Sequence, residues 1–219
     1  LFASSTGCLS AGRGKPENAI FPYRSVDLIH ESADNTGPKT FIRLEDDGGD
    51  VVTWEPFNQQ HDGKFAISRH LYKNITGDKV VFEEINQTLR LTFQYSWESG
   101  NKVGFVRRSE LTDFSGIARA VEILDGVQNI LPHSAPMAAL QTRSALVDAY
   151  KWNEREQDSA LALYSMYAKL SDRADPAEAL LTNTVFSIDS DQSEILLSSQ
   201  QVLAFKRGDV IESECLTRG

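Results

Sequence analysis

The chain has 219 residues, of which 41% are hydrophobic and 24% charged, and its net charge is −9. That length suits one large β domain or two small ones, and the composition excludes an intrinsically disordered chain. The acidity argues against nucleic-acid and anionic-membrane partners, which are gripped through basic patches, and no run approaches the ~18 apolar residues of a membrane helix.

Two cysteines, Cys8 and Cys215, are too few for a disulfide framework. Free thiols in a reducing compartment are expected, although termini that met would let the two pair. The start at Leu1 and the end at Gly219 suggest an excerpt from a longer polypeptide.

In chain order, residues 1–22 carry Gly7, Gly12, Gly14, Pro16 and Pro22 and read as an irregular lead-in. A polar loop follows, rich in Arg24, Asp27, His30, Glu31, Asp34 and Asn35, and such a loop is either solvated or lines a site. Phe41–Leu44 and Val51–Trp54 are strands around the turn Asp46–Asp50, whose glycines accept positive φ. Phe65–Asn74 is a third strand. The turn Thr76–Asp78 leads into Lys79–Ile85.

The clearest segment is Leu89–Trp97. There Leu89, Leu91, Phe93, Tyr95 and Trp97 alternate with Arg90, Thr92, Gln94 and Ser96. Successive side chains of a strand point to opposite faces, so one face of this strand is buried. Val103–Leu111 and Ile117–Leu124 continue the run. Turn signals about every ten residues mark a sandwich or barrel.

Beyond Pro132, residues 133–142 read as a short helix with Ser134 as its cap and Pro136 in its first turn. Ala145–Trp152 and Leu161–Ala168 read as strands joined by the acidic link 153–159. Asp175–Leu180 reads as one helical turn. Thr184–Ile188, Glu194–Leu197 and Gln201–Lys206 read as the last strands. With no repeat and no low-complexity linker, the sequence places a single β-sandwich domain over 23–219, all-β and mainly antiparallel, with one or two short helices.

Little of this sequence carries a chemical motif. The four histidines, His30, His61, His70 and His133, show no metal-ligand spacing, so no metal is expected. G-x-S-x-G, the phosphate loop and the dinucleotide fingerprint are absent, so no cofactor is expected. Asn74-Ile75-Thr76 and Asn86-Gln87-Thr88 match glycosylation triplets. Asp27 with Glu31, or Asp125 with Asp148, are candidate carboxylate pairs for glycosidic chemistry, with surface carboxylates as the plainer reading. Trp54, Tyr72, Tyr95, Trp97, Tyr150, Trp152, Tyr164 and Tyr167 could stack on sugar rings, but strand positions favour core filling for most of them.

Several stretches resemble a known family. Tyr23–Ser32 followed by Asn35–Thr40, Trp54–Phe57, Phe82–Asn86, Gly104–Arg107, Leu124–Pro132, Leu146–Lys151 and Asp172–Ala174 are similar to large bacterial cellobiose-phosphorylase-like proteins. A short strand, an acidic turn and a strand ending in Trp54-Glu55-Pro56 also resemble the opening of the inverting disaccharide phosphorylases.

The resemblance implies a galactose-mutarotase-like β-supersandwich that precedes a linker and an (α/α)6 barrel. In that family the catalytic acid lies on the barrel, and no part of this chain matches it. The implied role is therefore a non-catalytic sandwich domain of a carbohydrate-active enzyme. Its expected partners are an oligosaccharide bound by the parent enzyme, the C-terminal helical domain, and a second copy in a homodimer.

Arg24, Asp27, His30 and Glu31 are the residues expected to face that domain or its substrate. The expected compartment is the cytoplasm, with the periplasm as the alternative. Two other roles stay open: a stand-alone carbohydrate-binding or assembly module, and a mutarotase-like epimerase. The epimerase would need His30, His70 or His133 to converge with Glu31, Glu83 or Glu84.

Overall fold

The structure, a computed structural model, describes residues 2–10, 12–13, 15–22, 28–46, 48–133, 135, 137–142, 144–156, 159–168, 181–188 and 194–218. The chain is mainly antiparallel β-sheet with a few short helices, as the period-two pattern demands. It divides into two compact units. The first comprises Leu1–Ser4, Cys8–Pro38 and Val127–Gly219, and the second Ser5–Gly7 and Lys39–Gly126.

The lead-in expected to be irregular holds two short ladders. Strand β1 (Phe2–Ala3) pairs with β2 (Leu9–Ser10), and β3 (Gly12–Arg13) with β4 (Lys15–Ala19). A 3-10 turn at Ile29–Ser32 follows, with Ile29 and Ser32 buried.

The second unit is built on two sheets. Strands β5 (Gly37–Glu45) and β6 (Val51–Trp54) form a hairpin. Strands β7 (Ile67–Lys73), β8 (Lys79–Asn86), β9 (Leu91–Gly100) and β10 (Gly104–Asp113) form a meander, and β11 (Val121–Gln128) completes the unit. The sheet orders are β10–β9–β8–β7 and β11–β5–β6.

The alternation in β9 works as expected. Leu91, Phe93, Tyr95 and Trp97 are all at most 5% exposed. Register places Phe82 opposite Tyr95 and Glu84 opposite Phe93, so the buried face continues onto β8. The strand starts at Leu91 rather than Leu89, because Arg90 takes a left-handed φ of 56° and the Asn86 side chain closes the turn by accepting from the Leu89 N–H.

Glu84 joins the two sheets. It is fully buried, and a bare carboxylate there would lose its hydration without return. Three donors replace the water. The Trp54 indole of β6 donates to Oε1 at 2.8 Å, while the Phe57 N–H and Arg69 Nε donate to Oε2 at 2.7 and 2.6 Å. Phe57 sits at a φ of 67°, which costs a non-glycine residue energy. The bond to Glu84 holds it there, and its ring meets Phe82, Phe93 and Tyr95 edge-on at 5.3–6.4 Å.

The rest of the first unit departs further from expectation. Helix α1 (Met137–Thr142) falls within the expected 133–142; its expected cap, Ser134, and Pro136 lie outside the described residues. Ala145–Trp152 is not a strand. It is helix α2 (Ser144–Tyr150) running into β12 (Lys151–Arg155). Only Val147 of residues 145–149 is buried, one residue per turn, whereas a strand would bury alternate positions. Val147 packs with Ala135 and Met166, against Leu140 and Tyr150.

β13 (Leu161–Met166), β14 (Thr182–Phe186) and β15 (Leu216–Arg218) complete a sheet in the order β14–β13–β12–β15. Residues 194–197 are not a strand, and Gln201–Lys206 belongs to helix α3 (Ser199–Arg207). Ser198 and Gln201 form a reciprocal capping box, and Gly208 ends the helix at a φ of 77°. Those end signals outweigh the apolar run Val202–Phe205. The expected helical turn at Asp175–Leu180 lies outside the described residues. Cys8 is buried and Cys215 exposed, both as free thiols. No described helix is long and apolar enough to cross a membrane.

Replacing Glu84 with Ala leaves the buried Trp54 indole without its acceptor and takes one partner each from the half-buried Phe57 N–H and from Arg69, which keeps Asp62 and the Asn58 carbonyl. Leaving a buried donor without its acceptor costs about 1–3 kcal/mol. The urea midpoint of Glu84→Ala should therefore fall sharply, and that of Glu84→Gln, which keeps the volume and one acceptor, should fall less. An unchanged midpoint in both variants would refute this role for Glu84.

Candidate functional site

The sheet β14–β13–β12–β15 has two faces, set apart by the alternation of its side chains. Inward go Asn153, Ala162 and Met166, all buried, and Tyr164, whose phenol burial pushes up to about 12. Outward, by register, go Trp152 and Glu154 of β12, Leu163 and Ser165 of β13, Thr184 and Phe186 of β14, and Leu216 and Arg218 of β15. Tyr167 continues this face, since its N–H donates to the Tyr150 carbonyl at 2.8 Å and extends the ladder.

Three aromatics form a row at this end of the sheet, and one of them, Tyr150, also packs against the Ala135–Val147–Met166 cluster. Tyr150 and Tyr167 lie 5.8 Å apart, and Tyr167 and Trp152 5.4 Å apart, each pair within 14° of parallel. The Arg218 guanidinium sits 5.0 Å from the Trp152 ring centre, a cation–π contact. Tyr167 is 57% exposed and Phe186 50%. Aromatic side chains are large hydrophobic groups that folding normally hides, and a stacked row with one ring in solvent and two half-buried is a candidate interaction surface. Rings of this kind stack on the C–H faces of sugars or on bases. Glu154, Ser165 and Thr184 along the same face supply hydrogen-bonding groups suited to hydroxyls.

Of the residues expected to line a site, His30 and Glu31 alone are described, and neither lies on these four strands. Arg24 and Asp27 lie outside the described residues. His30 and Glu31 are exposed on the 3-10 turn, where the His30 carbonyl accepts from the Ala33 N–H and, at 3.9 Å, from the Cys8 thiol. Of the other acid–base candidates, His70 and Glu83 do face each other across β7 and β8. Tyr72, which stacks on His70, donates to Glu83 Oε1 at 3.1 Å, and Gln94 Nε2 donates to Oε2, so both carboxylate oxygens are engaged. Among the described residues, no cluster of three His, Cys, Asp or Glu side chains could hold a metal.

Asp125 is likewise committed. Arg107 grips it with two bonds, at 2.6 and 2.7 Å, and Ser109 and Thr40 each donate to it at 2.5 Å. The Arg107 guanidinium also lies over the Tyr95 ring at 4.9 Å. Its proposed partner Asp148 is exposed on α2.

Sequence reading listed Tyr150, Trp152 and Tyr167 among the aromatics but favoured the core for most, and it missed Arg218 and Phe186. The period of two across 163–167 could have shown that Tyr164 and Tyr167 take opposite faces. No protein-family model matches this sequence, and no curated protein matches it significantly.

Burial alone would raise the Asp125 pKa, but the bonds and charge of Arg107, with Ser109 and Thr40, outweigh it and hold the carboxyl below its usual range. A depressed carboxylate stabilises the fold above its unfolded pKa of roughly 3.9, and that stability is lost as pH falls through the folded value. Urea unfolding should therefore show the wild type more stable than Asp125→Asn at pH 7, with the gap closing below about pH 4. A gap that stays constant from pH 7 to pH 2 would contradict this.

Proposed function

We propose that the chain is a non-catalytic carbohydrate-handling β-sandwich protein that holds a neutral oligosaccharide on the aromatic face of β12, β13, β14 and β15. The observation that carries this reading is the stacked row of Tyr150, Tyr167 and Trp152, in which Tyr167 is exposed and the other two rings are half-buried.

Sugar and nucleic acid both stack on aromatic rings, and charge decides between them. A nucleic-acid site needs a basic groove along the backbone. Here Arg218 is joined on the same face by Glu154, and the chain as a whole carries a net charge of −9. The non-catalytic part of the reading is supported by the carboxylates themselves, since Glu84 and Asp125 are saturated with protein donors. The resemblance of Trp54–Phe57 and Leu124–Pro132 to cellobiose-phosphorylase-like proteins supports a glucan as the sugar. In that setting the segment would present or orient substrate for a helical catalytic domain.

Titration with cellohexaose by calorimetry should give weak, saturable binding. Removing one stacking ring costs about 1.4 kcal/mol at the upper end of aromatic pair energies, a tenfold loss of affinity. Trp152→Ala and Tyr167→Ala should each show that loss while keeping the wild-type circular dichroism. Binding unaffected by both substitutions would overturn the reading.

A further inference from the structure

A shallow depression of about 320 Å3 opens in the second unit where the segment after β6 meets β7, lined by Asp62, Gly63, Phe65, Ile67 and Arg69. That volume is at the lower end for small-molecule sites. Its polar wall is fixed from beneath. Arg69 Nε is tied to the fully buried Glu84 at 2.6 Å, and its Nη2 donates to Asp62 Oδ1 at 2.8 Å and to the Asn58 carbonyl at 3.1 Å. The Phe65 ring is fixed as well, edge to face with His61 at 5.3 Å, with the Lys64 ammonium 5.1 Å from its centre. A tight turn holds this arrangement, with the Lys64 and Phe65 N–H groups donating to the His61 carbonyl.

Charge narrows the ligand. The cations Arg69 and Lys64 cancel the carboxylates Glu84 and Asp62. Burial first, and the charge of Lys64 second, lower the His61 pKa, so the imidazole adds no charge at neutral pH. An anion finds a guanidinium already bound to two carboxylates, and a cation finds the one exposed carboxylate, Asp62, already neutralised by Arg69. A neutral molecule with an apolar flank and adjacent hydroxyls meets both kinds of lining group. A hydroxyl both donates and accepts, so one can bond to Asp62 while its neighbour accepts from Arg69.

We propose that this depression binds a single neutral pyranose, with Asp62 and Arg69 on a vicinal diol and Phe65 and Ile67 against its C–H face. The site shares no residue with the aromatic row on β12 and β13 and stands whether or not that row binds glucan. Asp62 is exposed and Phe65 half-buried, so both can be changed without opening the core.

The test is a 15N-edited NMR titration of the whole chain with methyl β-glucopyranoside, methyl β-galactopyranoside and methyl α-mannopyranoside at millimolar concentrations. Saturable shifts confined to the amides of residues 58–69 are expected with at least one glycoside. Asp62→Ala and Phe65→Ala should each weaken them roughly tenfold, the scale of one lost polar or stacking contact. Trp152→Ala should leave them unchanged. No shift in 58–69 with any of the three glycosides, equal saturation in both folded variants, or equal saturation by acetate would each overturn the proposal.

Discussion

A carboxylate with no access to water is the constraint around which the second unit is arranged. Glu84 sits mid-strand on the apolar face of a sheet, where its own neighbours offer it nothing. It is tolerable only if other segments deliver donors, and three do: the end of β6, the left-handed residue after it, and the edge strand β7. Satisfying one group thereby sets the spacing of two sheets and the path of the segment between them. An apolar residue at 84 would fill the volume but impose no such registration.

This explains why some of the fold could be read from the sequence and some could not. Strands β8 and β9 announce themselves because burial follows parity along most of their length, with buried Ser96 as an exception in β9. Strand β6 matches its expected bounds because Trp54-Glu55-Pro56 stops it. The role of Glu84 is invisible to such reading, since it depends on where Trp54, Phe57 and Arg69 arrive in space. α2 and α3 fail for another reason. Short apolar runs such as Val202–Phe205 suit either a strand or a helix, and only the flanking Ser198, Gln201 and Gly208 decide.

The candidate surface divides in the same way. That Trp152 and Tyr167 belong to strand ends was partly legible, and which side faces solvent was not, because β12 had been merged with α2. Arg218 reaches Trp152 only because the last described strand returns to pair with β12 across more than sixty residues of chain, a pairing that no local pattern signals. The two units also use aromatics in opposite ways. In the second unit Phe57, Phe82, Phe93 and Tyr95 close on one another and on Glu84's network. In the first a comparable set is spread over an open sheet.

The lead-in carries one more requirement. A Cβ built at Gly7 would stand 2.6 Å from the Tyr95 phenol oxygen, and Gly7 itself holds a φ of 85°. Tyr95 cannot step aside freely, because it lies flat on Phe82 at 4.8 Å and beneath Arg107. Any chiral residue at position 7 would thus displace the ring that seats the guanidinium clamped on Asp125. Variation near the N-terminus would then be felt at an ion pair a hundred residues downstream, and this small turn is less free to diversify than its place in a glycine-rich preamble suggests.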